Sequence, residues 1–217
     1  MDFIFDPSLV LYLPLHQIDG DSFISKDAYG HSCTVAGALW TPQGRTFDGV
    51  DDVITATNSA VFDLTTAGSI FAWYKFLTST DTYGVIAGKA GAEYPYYIFT
   101  QNDFGGAGHP RLLANIKDSG GYKQWNDTVD AIDNTWYFFG MTWDSTTLRP
   151  YKNAVPQTTV AAGAAISVPG ITLAIGDKST DSSRSSKGTI GEVLLYNRVL
   201  TAQEIQQIYR ATKWRYQ

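Results

Sequence analysis

Apolar and aromatic residues fall along the chain in short runs, and glycines recur between them, which is the rhythm of strands joined by turns rather than of helices. Read this way, the sequence predicts strands over residues 9–15, 38–40, 45–47, 53–55, 69–76 and 85–89. Further strands are expected over 96–101, 111–117, 136–143, 148–152, 173–176 and 188–196. A dozen short strands at near-regular spacing point to two packed sheets. The run NTWYFFGMTWD is apolar at successive positions, so both faces of that strand should be covered and the strand should be central. Asn153-Ala154 sits where a two-residue hairpin is expected. One segment departs from the pattern: in LTAQEIQQIYRAT, residues 200–212, Thr201 and Glu204 have capping-box spacing, and Ile205, Ile208, Tyr209 and Thr212 share a face. A single C-terminal helix is therefore expected. Residues 100–108 and 180–187 read as solvated loops.

Composition adds limits. The 217 residues suit one all-β domain spanning 1–217, and 44% hydrophobic with 14% aromatic residues supply a sizeable core. A net charge of -5 opposes general affinity for nucleic acid or anionic membrane and leaves small neutral ligands or cations as better partners. Cys33 is the only cysteine, so neither an intramolecular disulfide nor a cysteine-rich metal site is available. The opening MDFIFDPSLVLYLPLHQIDG lacks a basic n-region, and Asp6, Pro7 and Pro14 break its apolar run, so it does not read as a signal peptide. No apolar run of roughly 18 residues is present, and no membrane span is expected.

Several segments, taken in order, carry a resemblance. LVLYLPL, KDAYGHSCTVAGALW, GRTFDGVDDVI, SIFAWYK, WYFFGMTWD, LRPYKN, LAIGDKS and GTIGEVLLYNRVLTAQEI together resemble a laminin-G-like, concanavalin A-like lectin/glucanase jelly roll. FDGVDD and GEVLLYNRVLTAQEI are the most specific pieces. The resemblance implies two antiparallel sheets over one core with an open outer face and rim loops for ligands. It leaves function open, because this sandwich carries glycan-binding modules, glycoside hydrolases, polysaccharide lyases and structural domains alike.

Enzymatic readings find little support in the residues. A retaining glycosidase needs two carboxyls about 5 Å apart, and the glucanases of this fold carry them as Glu-x-Asp-x-x-Glu. Glu93, Glu192 and Glu204 are the only glutamates, and none begins that motif. A lyase site could be assembled from His109, Arg111, Tyr122 and Lys123, but their surroundings do not match the lyase motifs of this fold. No catalytic residue is assigned.

The resemblance also implies a structural calcium tying the N-terminal turn and the FDGVDD segment to the final core strand. Its expected ligands are Asp27, Asp51 and Glu192, with Asp52 and Asp19 weaker candidates and Asp48 assigned to turn geometry. Glu192 interrupts an apolar strand, and a charge there needs a partner; Arg45 or Arg198 would serve if no ion did.

Sugar rings present apolar faces, so a glycan site combines exposed aromatics with polar groups that orient hydroxyls. Tyr94, Tyr96, His109, Arg111, Tyr122, Lys123, Trp125 and Asn126, with Tyr83 nearby, form such a mixture, and Trp125 is the leading candidate because polar residues flank it. Trp40, Trp73, Trp136 and Trp143 are expected in the core or covering a sheet, and Trp214 is expected to staple the C-terminus. Two functions follow: a non-catalytic carbohydrate-binding module for surface glycans or polysaccharide, or a structural decoration domain making protein contacts on a phage or virus particle. Either places the protein outside the cell or on a virion surface.

Overall fold

The computed structural model describes residues 3–78, 82–102, 109–168, 170–178 and 184–217. Parts of both expected loops, 100–108 and 180–187, lie outside the described residues. In chain order the first strands are β1 (Leu9–Pro14), β2 (Ser22–Ile24), β3 (Ser32–Ala36), β4 (Leu39–Thr41), β5 (Gly44–Asp48) and β6 (Val53–Ala56). Next come β7 (Ala67–Phe76), β8 (Tyr83–Lys89), β9 (Tyr96–Gln101), β10 (Arg111–Asp118), β11 (Gly121–Asn126) and β12 (Trp136–Asp144). The last are β13 (Thr147–Lys152), β14 (Val155–Pro156), β15 (Val160–Ala161), β16 (Leu173–Ile175) and β17 (Lys187–Tyr196), followed by helix α1 (Ala202–Thr212).

These strands form two antiparallel sheets. The first runs β14-β13-β12-β7-β17-β5-β4, with β1 also on β17 and β15 on β13; the second runs β11-β10-β9-β8-β16-β6-β3-β2. Alternation along each strand decides what each face carries. In β7, Ile70, Ala72, Tyr74 and Phe76 enter the core between the sheets, whereas Phe71 and Trp73 face outward. In β12, Tyr137, Phe139, Met141 and Trp143 point inward and Phe138 outward, so this central strand is covered on both sides.

The cover on the outer side is α1. Its Ile205 and Ile208 pack with Phe71, Trp73 and Phe138, and Trp73 Nε1 donates to Thr212 Oγ1 at 2.8 Å. The helix starts where its capping box allows: Glu204 N donates to Thr201 Oγ1, and Thr201 N donates to the Glu204 carboxylate at 2.7 Å. Arg198 pairs with both Asp6 and Glu204, fastening the N-terminal turn beside the helix start.

Asn153 and Ala154 form the expected two-residue hairpin between β13 and β14, with φ of 52° and 61°. Two tryptophan expectations are corrected. Trp40 lies exposed on edge strand β4, and Trp214 is 67% exposed, its Nε1 donating only to Ala211 O. Tyr216 fastens the C-terminus instead, stacking on Trp73 at 4.6 Å.

Candidate functional site

The outer face of the second sheet, at its β8–β11 end, has no helix over it among the described residues and carries a groove of about 180 Å³. Strand alternation builds it. Tyr96 and Ile98 of β9 enter the core, so Tyr97 and Phe99 face outward; Leu112, Ala114 and Ile116 of β10 enter the core, so Leu113 and Asn115 face outward. In β11, Trp125 points inward, which turns Tyr122 and Gln124 to the groove. The pairing register aligns Tyr97 with Asn115 and Asn115 with Gln124 in one row across three strands.

Tyrosines make the wall. Tyr94 and Tyr97 lie 5.0 Å apart, Tyr97 stacks on Phe99 at 4.5 Å, and Tyr122 stands 6.5 Å from Tyr94 at the rim, 49% exposed. The Arg184 guanidinium sits over both Tyr83 and Tyr94, at 4.7 and 4.8 Å from the ring centres. Burial pushes the Tyr97 and Tyr122 hydroxyls above the usual phenol range, so both remain neutral at physiological pH.

Amides make the floor. Asn115 Nδ2 donates to Gln124 Oε1 at 3.3 Å, and Gln124 Nε2 donates to Asn126 Oδ1 at 2.6 Å. Asn115 is 1% exposed, and its Oδ1 has no hydrogen-bond partner. A buried acceptor left open is costly, and a ligand hydroxyl or amide would satisfy it. The wall offers ring faces and the floor directional groups, a combination suited to a polar molecule with apolar faces.

Of the residues expected to bind ligand, the groove gathers Tyr94 and Tyr122, with Tyr83 beside them and Asn126 bonded to its floor. Two expectations are corrected. Trp125 is 7% exposed, belongs to the core and packs near Phe139, because Gly121–Asn126 is a strand rather than a loop. Tyr96 is buried on Trp143 and donates its hydroxyl to Phe62 O. His109 and Arg111 gather instead on Asp130, at 2.9 and 3.0 Å, and Lys123 lies 3.8 Å from Asp118. Sequence reasoning passed over Tyr97, Phe99, Asn115, Gln124 and Arg184. Period-two alternation in YYIFTQ and RLLANIKD held the signal for the first three, since a core Tyr96 obliges an outward Tyr97.

The expected calcium ligands do not come together as one set. Among the described residues, Asp48, Asp51 and Asp52 form a group whose carboxylate oxygens lie within 4.8 Å of one another. Asp52 Oδ2 accepts from Asp48 N, and Gly37 lets Asp52 fit, since a Cβ there would overlap its carboxylate. Burial, and then the adjacent Asp48 and Asp51 charges, push the Asp52 carboxyl above its usual range. Three hard oxygens around one point suit calcium in donor chemistry. Asp27 is engaged elsewhere, its carboxylate accepting from the backbone N–H groups of Tyr12, Tyr29 and Gly30. Glu192 is fully buried and pairs with Arg215, rather than with Arg45 or Arg198, and lies 3.7 Å from His16 Nδ1. Asp19 accepts from Gly20 N.

Comparison with functionally characterised proteins gives no significant sequence match. Solved structures do match in fold. The receptor-binding domain of botulinum neurotoxin mosaic serotype C/D, with tetraethylene glycol bound on its Hcn sub-domain, superposes with a TM-score of 0.71 at 14% identity, over 95% of this chain and 51% of that one. The binding domain of botulinum neurotoxin DC in complex with rat synaptotagmin II gives 0.66 at 13% identity, over 94% and 51%. Trypanosoma rangeli sialidase, in complex with a difluorinated KDN, gives 0.71 at 17% identity, over 98% and 34%. The present chain thus spans about half of the toxin domains and a third of the sialidase. Residues 48–206 match the Laminin_G_3 family, and with the two-sheet architecture this shows that the chain belongs to the concanavalin A-like lectin/glucanases superfamily.

Proposed function

We propose that the protein is a non-catalytic glycan-binding module whose site is the groove on the outer face of the second sheet. The observation that carries this reading is the meeting of a tyrosine wall with an amide floor in which buried Asn115 Oδ1 has no partner. Tyr122 and Tyr94 stack against a sugar face, and Asn115 and Gln124 orient its hydroxyls. Among the described residues none of the side chains lining the groove is a carboxylate, so these supply neither of the two acids that glycoside hydrolysis requires. The negative net charge argues against nucleic acid or anionic membrane as the partner, and no helix among the described residues is long and apolar enough to cross a membrane. Surface glycans or polysaccharide, met outside the cell or from a virion surface, are the partners this chemistry fits. The test is a glycan array, followed by calorimetry on the best ligand with wild type and Tyr122→Ala. Binding that weakens several-fold to about tenfold in the variant is expected. A silent array, or full affinity after loss of Tyr122, would sink the proposal.

The same reading includes a structural calcium at Asp48, Asp51 and Asp52. Its support is the grouping of three carboxylates, one of them raised in pKa by burial and by its acidic neighbours. A second function, protein contacts within an assembly such as a phage or virus particle, is favoured by β4, an edge strand with Leu39 and Trp40 exposed. Light scattering that shows a concentration-independent monomer with Leu39 and Trp40 intact would count against it.

A further inference from the structure

From the placement of Arg184 we infer that the groove selects acidic sugars, and that the guanidinium takes the carboxylate of a uronate or similar residue. The inference rests on the glycan-binding reading and adds the class of sugar to it. Another cation on this face already has a carboxylate partner: Lys117, which lies over Tyr122, pairs with Glu93. Arg184 differs. Its side chain lies against the rings of Tyr83 and Tyr94, while its backbone N–H donates to Asp177, and among the described residues its guanidinium pairs with no carboxylate. Contact with ring faces does not use the guanidinium N–H donors, and a guanidinium can present two parallel N–H donors to a carboxylate.

The rest of the lining agrees. Among the described residues no acidic side chain lines the groove, and Glu93, near the rim beside Tyr122, is paired with Lys117, although the whole chain carries a net charge of -5. The Tyr97 and Tyr122 hydroxyls are held neutral by burial, so they too can donate to an anionic oxygen rather than oppose it. Gln124 and the open Asn115 Oδ1 lie in the same groove, placed for the hydroxyls of the ring that bears the acid. A neutral sugar would satisfy the amides and stack on the tyrosines but leave the guanidinium without its strongest kind of partner.

The experiment is an array in which each carboxylated glycan, uronate- or sialate-bearing, is printed beside its neutral counterpart, with the carboxylate reduced or esterified. Wild type, Arg184→Gln and Tyr122→Ala are compared, and a thermal melt of each variant confirms folding. Expected is a preference of about tenfold or more for the acidic member of a pair, the size of a charge-assisted hydrogen bond. Arg184→Gln should level the pair by weakening only the acidic member, and added salt should do likewise. Tyr122→Ala should weaken both members together. Equal binding of acidic and neutral members, or a preference that survives Arg184→Gln, would overturn the acidic-sugar inference and leave the glycan-binding proposal standing. Binding to no glycan at all would overturn both.

Discussion

Glu192 sits without solvent contact on β17, paired with Arg215 and 3.7 Å from His16. Burial, which outweighs the opposing attraction of Arg215, pushes its carboxyl up from 4.5 to about 7, and burial followed by the Arg215 charge lowers His16 from 6.5 to about 4. A raised carboxyl stabilises the fold below its ordinary pKa and loses that contribution as pH rises through the folded value. For Glu192 the falling window therefore runs from about 4.5 to about 7. The depressed His16 works the opposite way, contributing fully above 6.5 and losing its contribution as pH falls through 4. Melting temperature measured from pH 5 to 8 should thus carry a falling component that Glu192→Gln removes; identical profiles for the two proteins would mean that Arg215 keeps Glu192 ionised throughout. Trp125 makes a second residue-scale case. Trp125→Ala should cost about 3–5 kcal/mol in urea unfolding, as loss of a core aromatic does, without altering ligand affinity per folded molecule. That Glu192 needs a partner was legible from its apolar neighbours. The identity of the partner was not, because Arg215 reaches it only after the chain has turned through α1 and returned to the sheet.

At the scale of elements, the helix and the central strand were the most readable, since each combines a complete periodic pattern with a local signal. Thr201 caps α1, and Glu204 is held well below the usual carboxylate range, to about 2, chiefly by its hydrogen bond from Arg198. Thr201→Ala should lower unfolding free energy by about 1 kcal/mol with an unchanged denaturant slope, and a loss too small to resolve would show that packing on Trp73 and Phe138 suffices to hold the helix. The Asn153-Ala154 hairpin was readable from its position between two strands, and in place of the usual glycine Asn153 adds a tertiary bond, Phe138 N donating to its Oδ1 at 3.0 Å. Strand β11 was not readable. Gly120-Gly121 and the polar Lys123-Gln124 pair resemble a loop, and only pairing with β10 makes the segment a strand. That one missed element accounts for Trp125 being assigned to the surface and for Gln124 being overlooked.

For the whole molecule, the order of motifs from LVLYLPL to GEVLLYNRVLTAQEI was enough to name the architecture, because each motif falls on one or two strands of the sandwich, and the last on a strand and the start of α1, in fixed sequence. The groove was legible only as a composition, since it depends on which tyrosines alternate outward and on Arg184 arriving from a distant segment. A calcium at the Asp48, Asp51 and Asp52 group would act on global stability through linkage: at about 100 times its dissociation constant it adds roughly 2.7 kcal/mol. Melting in millimolar calcium should exceed melting in EGTA, and Asp51→Asn should abolish the difference; no difference in wild type would remove calcium from the description. The clasp of Arg198 on Asp6 and Glu204 has a consequence of orientation. It brings the N-terminal turn to the side of α1, where Tyr216 also lies, and the groove opens on the opposite side of the two stacked sheets. A carrier attached through either end would therefore hold the fold from behind, with the groove turned away from the point of attachment.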